Sequence, residues 1–193
     1  MKLIDRRLKT INMLLPHING KVLDVGCNRG YITNYLSSEG YDVLGIDFNP
    51  KWIDYCKKEY PDCKFELSNI LEENRKFDTI LMIGVLEEIP NHPKEVLNKL
   101  KENLNTNGKI IIQVRNMKSL KRRLKTFFGM ELVDCLIGHI YIFTPERLKN
   151  VVEECGYKII ELTSNKFDVF RDIIVFVPDN FAEESIIIIE DRK

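Results

Sequence analysis

The sequence has few of the residues that build metal sites, disulfide frameworks or membrane spans. Its 193 residues include five cysteines and three histidines, and no two cysteines form a Cys-x-x-Cys pair. This spacing matches no zinc ribbon or finger, so we expect no metal site. No apolar run reaches the roughly 20 residues needed to cross a bilayer, so we expect no membrane segment. The odd cysteine count and the lack of a leader pattern lead us to expect a cytoplasmic protein.

The chain also lacks an excess of either charge. Lysine plus arginine and aspartate plus glutamate both number 29, so the formal net charge is zero. Binding to nucleic acids or anionic membranes draws on excess positive charge, and both partners are therefore disfavoured. The hydrophobic fraction of 44% and the charged fraction of 30% are typical of a globular protein, and the length predicts one domain.

A glycine turn after a short apolar run is the most informative feature of the sequence. Residues 21–31 read KVLDVGCNRGY, which predicts a buried strand, a tight turn between Gly26 and Gly30, and a helix start. This arrangement leaves backbone N–H groups facing a ligand. A second strand at residues 41–46 leads to Asp47, whose position suits the hydroxyls of a ribose. Together these features predict an adenosine-type ligand.

Two details separate this ligand from a nicotinamide dinucleotide. The G-x-G-x-x-G fingerprint fails, because Asn28 stands at its second glycine and Tyr31 at its last position. Asp24 ends the first strand and points into the same turn, where a carboxylate would repel a diphosphate. It suits a ligand that carries an ammonium and a sulfonium group. We therefore predict S-adenosylmethionine (SAM), and an NAD-dependent oxidoreductase is the less favoured alternative.

These residues carry a family resemblance. VLDVGCNRG and GIDFN resemble the first two motifs of the class I SAM-dependent methyltransferases, and FDTILMIGVLEEIPNHPKEVLNKLKENLNTNGKIIIQV is similar to the fourth and fifth. The ending PDNFAEESIIIIEDR is similar to that of the MetW-like branch of methionine biosynthesis. The resemblance implies a SAM-dependent enzyme that methylates an O, N or C atom of a small molecule. The alternative is a SAM-binding, non-catalytic partner subunit, which the replacements at Asn28 and Asn69 leave open.

The expected fold is α/β. Strands alternating with helices predict a doubly wound parallel sheet. The resemblance implies a seven-stranded, mostly parallel, Rossmann-like sheet with helices on both faces and an antiparallel last strand beside the fifth. It further implies a single methyltransferase-like domain over residues 1–193. Its parts are an N-terminal helix (1–18), a cofactor-binding core (19–115), a variable substrate-side region (116–143) and a C-terminal helix with strands (144–193). Residues 167–181 are read either as an extra strand or as a buried loop.

The expected cofactor contacts follow the ends of the first four strands. We assign the glycine turn to the methionine moiety, Asp24 to its ammonium and Asp47 to the ribose. The adenine candidates are Phe48, Ser68 and Asn69, and for Asn69 a plain turn role is equally open. The predicted cofactor-binding residues are Asp24, Gly26, Cys27, Asn28, Gly30, Asp47, Phe48, Ser68, Asn69, Ile70 and Ile83.

The catalytic group is less well marked, because methyl transfer from a sulfonium needs a base only when the nucleophile must lose a proton. His139 lies in GHIYIFTPERL, which is similar to a segment of many small-molecule methyltransferases, and Glu88 follows the fourth strand. Both are our candidates for the base, and structural roles are the alternatives. Basic residues in the stretch 115–125 form either a solvated helix face or a site for an anionic acceptor.

Overall fold

The computed structural model describes residues 10–119, 127, 140–164, 167–170, 173–176, 182 and 184–192. The N-terminal segment is helical from residue 10 and ends in a 3-10 turn at Leu15–His17. The start of the predicted N-terminal helix lies outside the described residues. The further α-helices are α1 (Tyr31–Ser38), α2 (Pro50–Glu59), α3 (Pro93–Glu102) and α4 (Pro145–Glu154). None of the described helices is long and apolar enough to span a membrane.

The strands form one large sheet and one small one. They are β1 (Lys21–Val25), β2 (Asp42–Asp47), β3 (Lys64–Leu67), β4 (Phe77–Ile83), β5 (Leu104–Arg115), β6 (Tyr157–Ser164), β7 (Phe167–Phe170), β8 (Ile173–Phe176) and β9 (Glu184–Asp191). The seven-stranded sheet has the order β3-β2-β1-β4-β5-β9-β6, in which β9 runs antiparallel to the other six strands. This topology confirms the predicted fold class.

The last described strands settle a point that the sequence left open. Within residues 167–181, β7 and β8 pair as an antiparallel two-stranded sheet, so a strand pair replaces the alternative of a buried loop. β9 runs between β5 and β6 and pairs with both. The predicted position of the last strand beside the fifth is therefore confirmed.

Both faces of the large sheet are covered because neighbouring residues of a strand point to opposite sides. On one face, Ile80 and Met82 of β4 pack with residues of α3 and α4. On the other, Leu81 and Ile83 pack with the N-terminal segment and α1. A strand buried on both faces needs a nearly continuous apolar run, and that is the reason β4 reads FDTILMI.

The order of the strands reverses between β1 and β4, since β1 continues to β2 and β3 on one side and β4 leads to β5 on the other. In open α/β sheets, ligands bind outside the carboxyl ends of the strands at such a reversal. The loops after β1, β2 and β4 all leave the sheet at this edge. The candidate site is built from them.

Candidate functional site

The loop after β1 is a tight turn with three residues in the left-handed region. Gly26 has φ 67°, Asn28 has φ 51° and Gly30 has φ 72°. The N–H of Cys27 donates to the carbonyl of Ile46 at 3.0 Å, and the N–H of Gly30 donates to the carbonyl of Cys27 at 2.8 Å. Asparagine is one of the few residues that tolerate a positive φ, so the turn forms with Asn28 in place of a glycine.

Close packing, as well as backbone conformation, demands glycine at both ends of the turn. A Cβ at Gly26 would lie 2.6 Å from Cγ2 of Val85, in the loop after β4. A Cβ at Gly30 would lie 2.9 Å from Sγ of Cys56 on α2. The Cys56 thiol donates to the carbonyl of Asn28 at 3.1 Å. Burial raises the pKa of Cys27 and that of Cys56, the latter to about 11. Both thiols therefore stay protonated and support the turn from below.

Asp24 is buried below this turn, with 2% of its surface exposed. Its Oδ2 accepts a hydrogen bond of 2.6 Å from Oγ1 of Thr33, in the first turn of α1. A Cβ at Gly45 of β2 would lie 2.6 Å from the same hydroxyl, so Gly45 lets α1 approach the sheet closely enough for the contact. Neither Thr33 nor Gly45 was predicted from the sequence. The available signal was a polar residue on the inner face of a helix that follows a glycine turn.

Asp47 ends β2 and is also buried, with 7% of its surface exposed. Its Oδ2 accepts from the N–H of Asn28 at 3.0 Å, and its Oδ1 accepts from the N–H of Asn49 at 2.9 Å. The carboxylate thereby ties the loop after β2 to the glycine turn. Each carboxylate oxygen has a second lone pair, so Asp47 can still accept hydrogen bonds from a bound diol.

The residues predicted to contact the adenine differ in solvent exposure. Phe48 is 78% exposed, next to Asp47. Asn69 is also exposed, and its Oδ1 caps the 3-10 turn Ile70–Glu72 by accepting from the N–H of Leu71 at 3.1 Å. Ser68 is half-buried and its N–H donates to the carbonyl of Asp47, whereas Ile70 is buried in the core. The turn role left open for Asn69 is therefore present in the structure.

The loop after β4 carries two acids that differ in burial. Glu88 is exposed, whereas its neighbour Glu87 is buried, with 2% of its surface exposed. Oε1 of Glu87 accepts from the N–H of Arg115 at 3.3 Å. Burial raises the pKa of Glu87 to about 6. Ile83, also predicted for the site, ends β4 and is buried.

The remaining predicted residues fall largely outside the described part of the chain. His139 lies outside it, and so does the stretch 120–126 of the basic cluster. Of the basic residues that are described, Arg115 is exposed at the end of β5 and Lys118 forms an ion pair of 3.1 Å with Glu146.

The side chains gathered at this edge fit the chemistry of SAM. Two buried carboxylates stand at the ends of neighbouring strands, where β1 and β2 pair with Asp24 opposite Gly45 and Val25 opposite Ile46. One suits an ammonium group and the other a ribose diol. The exposed ring of Phe48 offers a surface on which an adenine can stack.

Comparison with known proteins also indicates a methyltransferase. A family model described as a methyltransferase domain matches residues 3–162. The chain is 26% identical over 188 residues to a ubiquinone biosynthesis O-methyltransferase of Coxiella burnetii, covering 88% of this chain and 80% of that one. It is 30% identical over 176 residues to a tRNA U34 carboxymethyltransferase of Campylobacter fetus, covering 83% and 60%.

A solved structure has the same fold. A magnesium protoporphyrin IX methyltransferase from Synechocystis, determined with bound S-adenosylhomocysteine, superposes with a TM-score of 0.71 at 15% identity. The superposition covers 98% of this chain and 83% of the other. At this identity the likeness establishes the fold alone.

Proposed function

The chain belongs to the methyltransferase domain family, and from this premise we propose that it methylates a hydroxyl oxygen of a small-molecule acceptor with SAM. Bound SAM supplies a methyl group that its sulfonium already activates. The chain's own residues then have to hold the cofactor, align the acceptor and exclude water. The observation that carries the proposal is the pair of buried carboxylates, Asp24 and Asp47, on either side of the glycine turn.

We assign the cofactor contacts as follows. Asp47 accepts hydrogen bonds from the ribose hydroxyls, while the N–H groups of Asn28 and Asn49 fix its orientation. Asp24, oriented by Thr33, lies near the ammonium of the methionine moiety. The turn from Gly26 to Gly30, with Cys27 and Asn28 between them, forms the wall beside that moiety.

The adenine end is assigned to the loops after β2 and β3. Phe48 packs against one face of the ring, and Ser68, Asn69 and Ile70 border its edge. Because Oδ1 of Asn69 already caps a turn, only its second lone pair is free to accept from the adenine amino group. Ile83 closes the site at the end of β4.

The acceptor class rests on the relatives and on charge. The relative from Coxiella burnetii is named as an O-methyltransferase, and this supports a hydroxyl acceptor. The tRNA-modifying relative is matched over only 60% of its length, and the formal net charge of zero disfavours RNA. The closer placement near the MetW-like branch, the base roles of His139 and Glu88, and an anionic acceptor remain proposals from the sequence.

Calorimetry and a methyl-release assay test this function together. We expect S-adenosylhomocysteine to bind with a dissociation constant in the micromolar range and NAD to show no heat of binding. With SAM, we expect S-adenosylhomocysteine to form in the presence of catechol or 3,4-dihydroxybenzoate. NAD binding would support the oxidoreductase alternative. Cofactor binding without turnover on hydroxyl, amine or carboxylate acceptors would support a non-catalytic partner subunit.

A further inference from the structure

A cavity of about 470 Å³ opens at the edge of the large sheet opposite the candidate site. It lies between the end of α3, the start of β5 and the end of β9. Lys76 lines it and directly precedes β4, whereas the loop after β4 reaches Gly26. The seven residues of β4 span roughly 20 Å, so a ligand in this cavity does not touch a cofactor at the glycine turn.

Positive charge predominates among the described side chains that line the cavity. They include four cations and two anions, which leaves a net charge of +2 on a chain whose total formal charge is zero. These charged residues are Lys76, Lys101, Lys158, Arg192, Glu190 and Asp191. An excess of one sign in a cavity raises the local concentration of ions of the opposite sign. The cavity therefore favours an anion.

Both carboxylates of the cavity are already paired with a lysine. Nζ of Lys101 lies 2.9 Å from Oδ1 of Asp191, and Nζ of Lys158 lies 2.7 Å from Oε1 of Glu190. Nζ of Lys101 also donates to the carbonyl of Cys155 at 3.0 Å, where a cation complements the C-terminal end of α4. Because each carboxylate is neutralised by its own lysine, the positive charge left over belongs to the other two cations.

Lys76 and Arg192 carry that remaining charge. Nζ of Lys76 donates to the carbonyl of Leu104 at 3.2 Å, which uses one of its three N–H groups. Arg192 is exposed directly after β9, and no described carboxylate forms an ion pair with it. Since β4 and β9 are the two neighbours of β5 in the sheet, these two cations flank the start of β5.

The start of β5 adds neutral polar groups between the two cations. The register of β5 against β4 shifts between Phe77 and Thr79, so residues 105–108 bulge at this edge of the sheet. Thr106 and Asn107 are exposed on the bulge and line the cavity. Hydroxyl and amide groups donate hydrogen bonds, so the bulge complements the oxygen atoms of an anion.

We propose that this cavity binds a small molecule with at least two anionic groups, phosphate or carboxylate, held between Lys76 and Arg192. A guanidinium binds either group through two parallel N–H donors, and an ammonium binds it as a point charge. A volume of about 470 Å³ falls in the range of small-molecule sites, so an organic body fits beside the charged groups. The site does not depend on the proposed function, because it lies at the other edge of the sheet.

Calorimetry with inorganic pyrophosphate and, separately, with citrate tests the proposal. At low ionic strength we expect at least one of them to bind the wild type at a single site with a Kd of about 0.1–1 mM, and the tighter one identifies the anionic group. Raising the salt concentration should weaken this binding, because the two cations are exposed. Lys76→Gln combined with Arg192→Gln should weaken it at least about tenfold, as expected for losing two charged hydrogen-bond donors.

The matched control removes two positive charges elsewhere on the surface. Lys57→Gln combined with Lys58→Gln, an exposed pair at the end of α2, should bind the same anion as tightly as the wild type does. Both double variants should fold, because all four changed side chains are exposed. If the cavity pair does not fold, Arg192→Gln alone gives the same comparison, with a loss of affinity in the same direction.

The inference is overturned if neither anion binds the wild type saturably, if the cavity pair keeps wild-type affinity, or if the control pair loses as much affinity as the cavity pair. Wild type and cavity pair should bind S-adenosylhomocysteine equally well. A wild type that binds an anion but not S-adenosylhomocysteine would overturn the proposed function and leave this site in place.

Discussion

At the scale of single residues, the site depends on contacts behind the cofactor surface. Asp24 was identifiable from its place at the end of an apolar run. The hydroxyl of Thr33 that binds it comes from a helix, and the helix reaches the strand only because Gly45 has no side chain. The buried carboxylate therefore depends on two residues that do not themselves face the turn.

Thr33→Val tests this support. Valine keeps the shape but removes the donor, so a buried carboxylate oxygen loses its hydrogen bond. We expect the free energy of unfolding, measured in urea, to fall by about 1–3 kcal/mol, together with a loss of affinity for S-adenosylhomocysteine. Ser38→Ala, an exposed change on the same helix, should stay within about 0.5 kcal/mol. Unchanged stability and affinity in Thr33→Val would show that Thr33 does not support Asp24.

The acids after β4 show where prediction at this scale ends. Glu87 stands next to the predicted Glu88 after the fourth strand, and nothing in the local sequence indicates which of the two is buried. That choice depends on the path of the loop, which the N–H of Arg115 and the segment at residue 140 determine from far along the chain. Asn28 was easier to judge, because its conformational tolerance is local.

At the scale of elements, a charged cluster fixes the loop that leads into β4. Arg75 donates to Glu66 of β3 at 2.7 Å and to the buried Glu73 at 2.6 Å. The side chain of Asn103 donates to the carbonyls of Glu73 and Arg75, both at 2.9 Å. Hydrogen bonds from Arg75 lower the pKa of Glu73 to about 2.

Arg75→Met should therefore change stability in a pH-dependent way. A lowered folded-state pKa means that the stabilisation is complete above the ordinary value of 4.5 and is lost as pH falls toward 2. We expect the gap in urea midpoint between wild type and variant to be widest near pH 7 and to narrow below pH 4.5. Lys51→Met, an exposed change on α2, should open no such gap. A gap that is the same at every pH would exclude Glu73 as its source.

At the scale of the whole molecule, the alternation of strands and helices was predictable from the sequence pattern. The number of strands and the antiparallel last strand were predicted from the family resemblance. The hydrophobic pattern of the sequence predicted the alternating strands and helices, because strands buried on both faces of a sheet need continuous apolar runs. The four β-branched isoleucines of β9 are typical of a strand, but nothing local places that strand between β5 and β6. Pairing between segments distant in sequence is decided by the completed core, and residues 167–181 were ambiguous for the same reason.

Deleting residues 184–193 tests how far the sheet depends on its last strand. Ile186, Ile187, Ile188 and Ile189 are each at most 1% exposed. Burying one isoleucine contributes about 1.5–3 kcal/mol, so four together match the net stability of an ordinary domain. We expect the truncated chain to show no cooperative thermal transition by circular dichroism, whereas removal of residues 192 and 193 leaves the transition in place. A cooperative transition near the wild-type temperature would show that the rest of the sheet folds without β9.

The central claim is that the buried carboxylate at the end of β2 binds the ribose of SAM. Calorimetry of S-adenosylhomocysteine binding to Asp47→Asn tests it most directly, with Asp42→Asn at the exposed start of the same strand as the matched control. We predict that affinity falls at least about tenfold in Asp47→Asn, as expected for losing charged hydrogen bonds, and stays at the wild-type value in Asp42→Asn. Equal affinity in a folded Asp47→Asn protein would contradict the account.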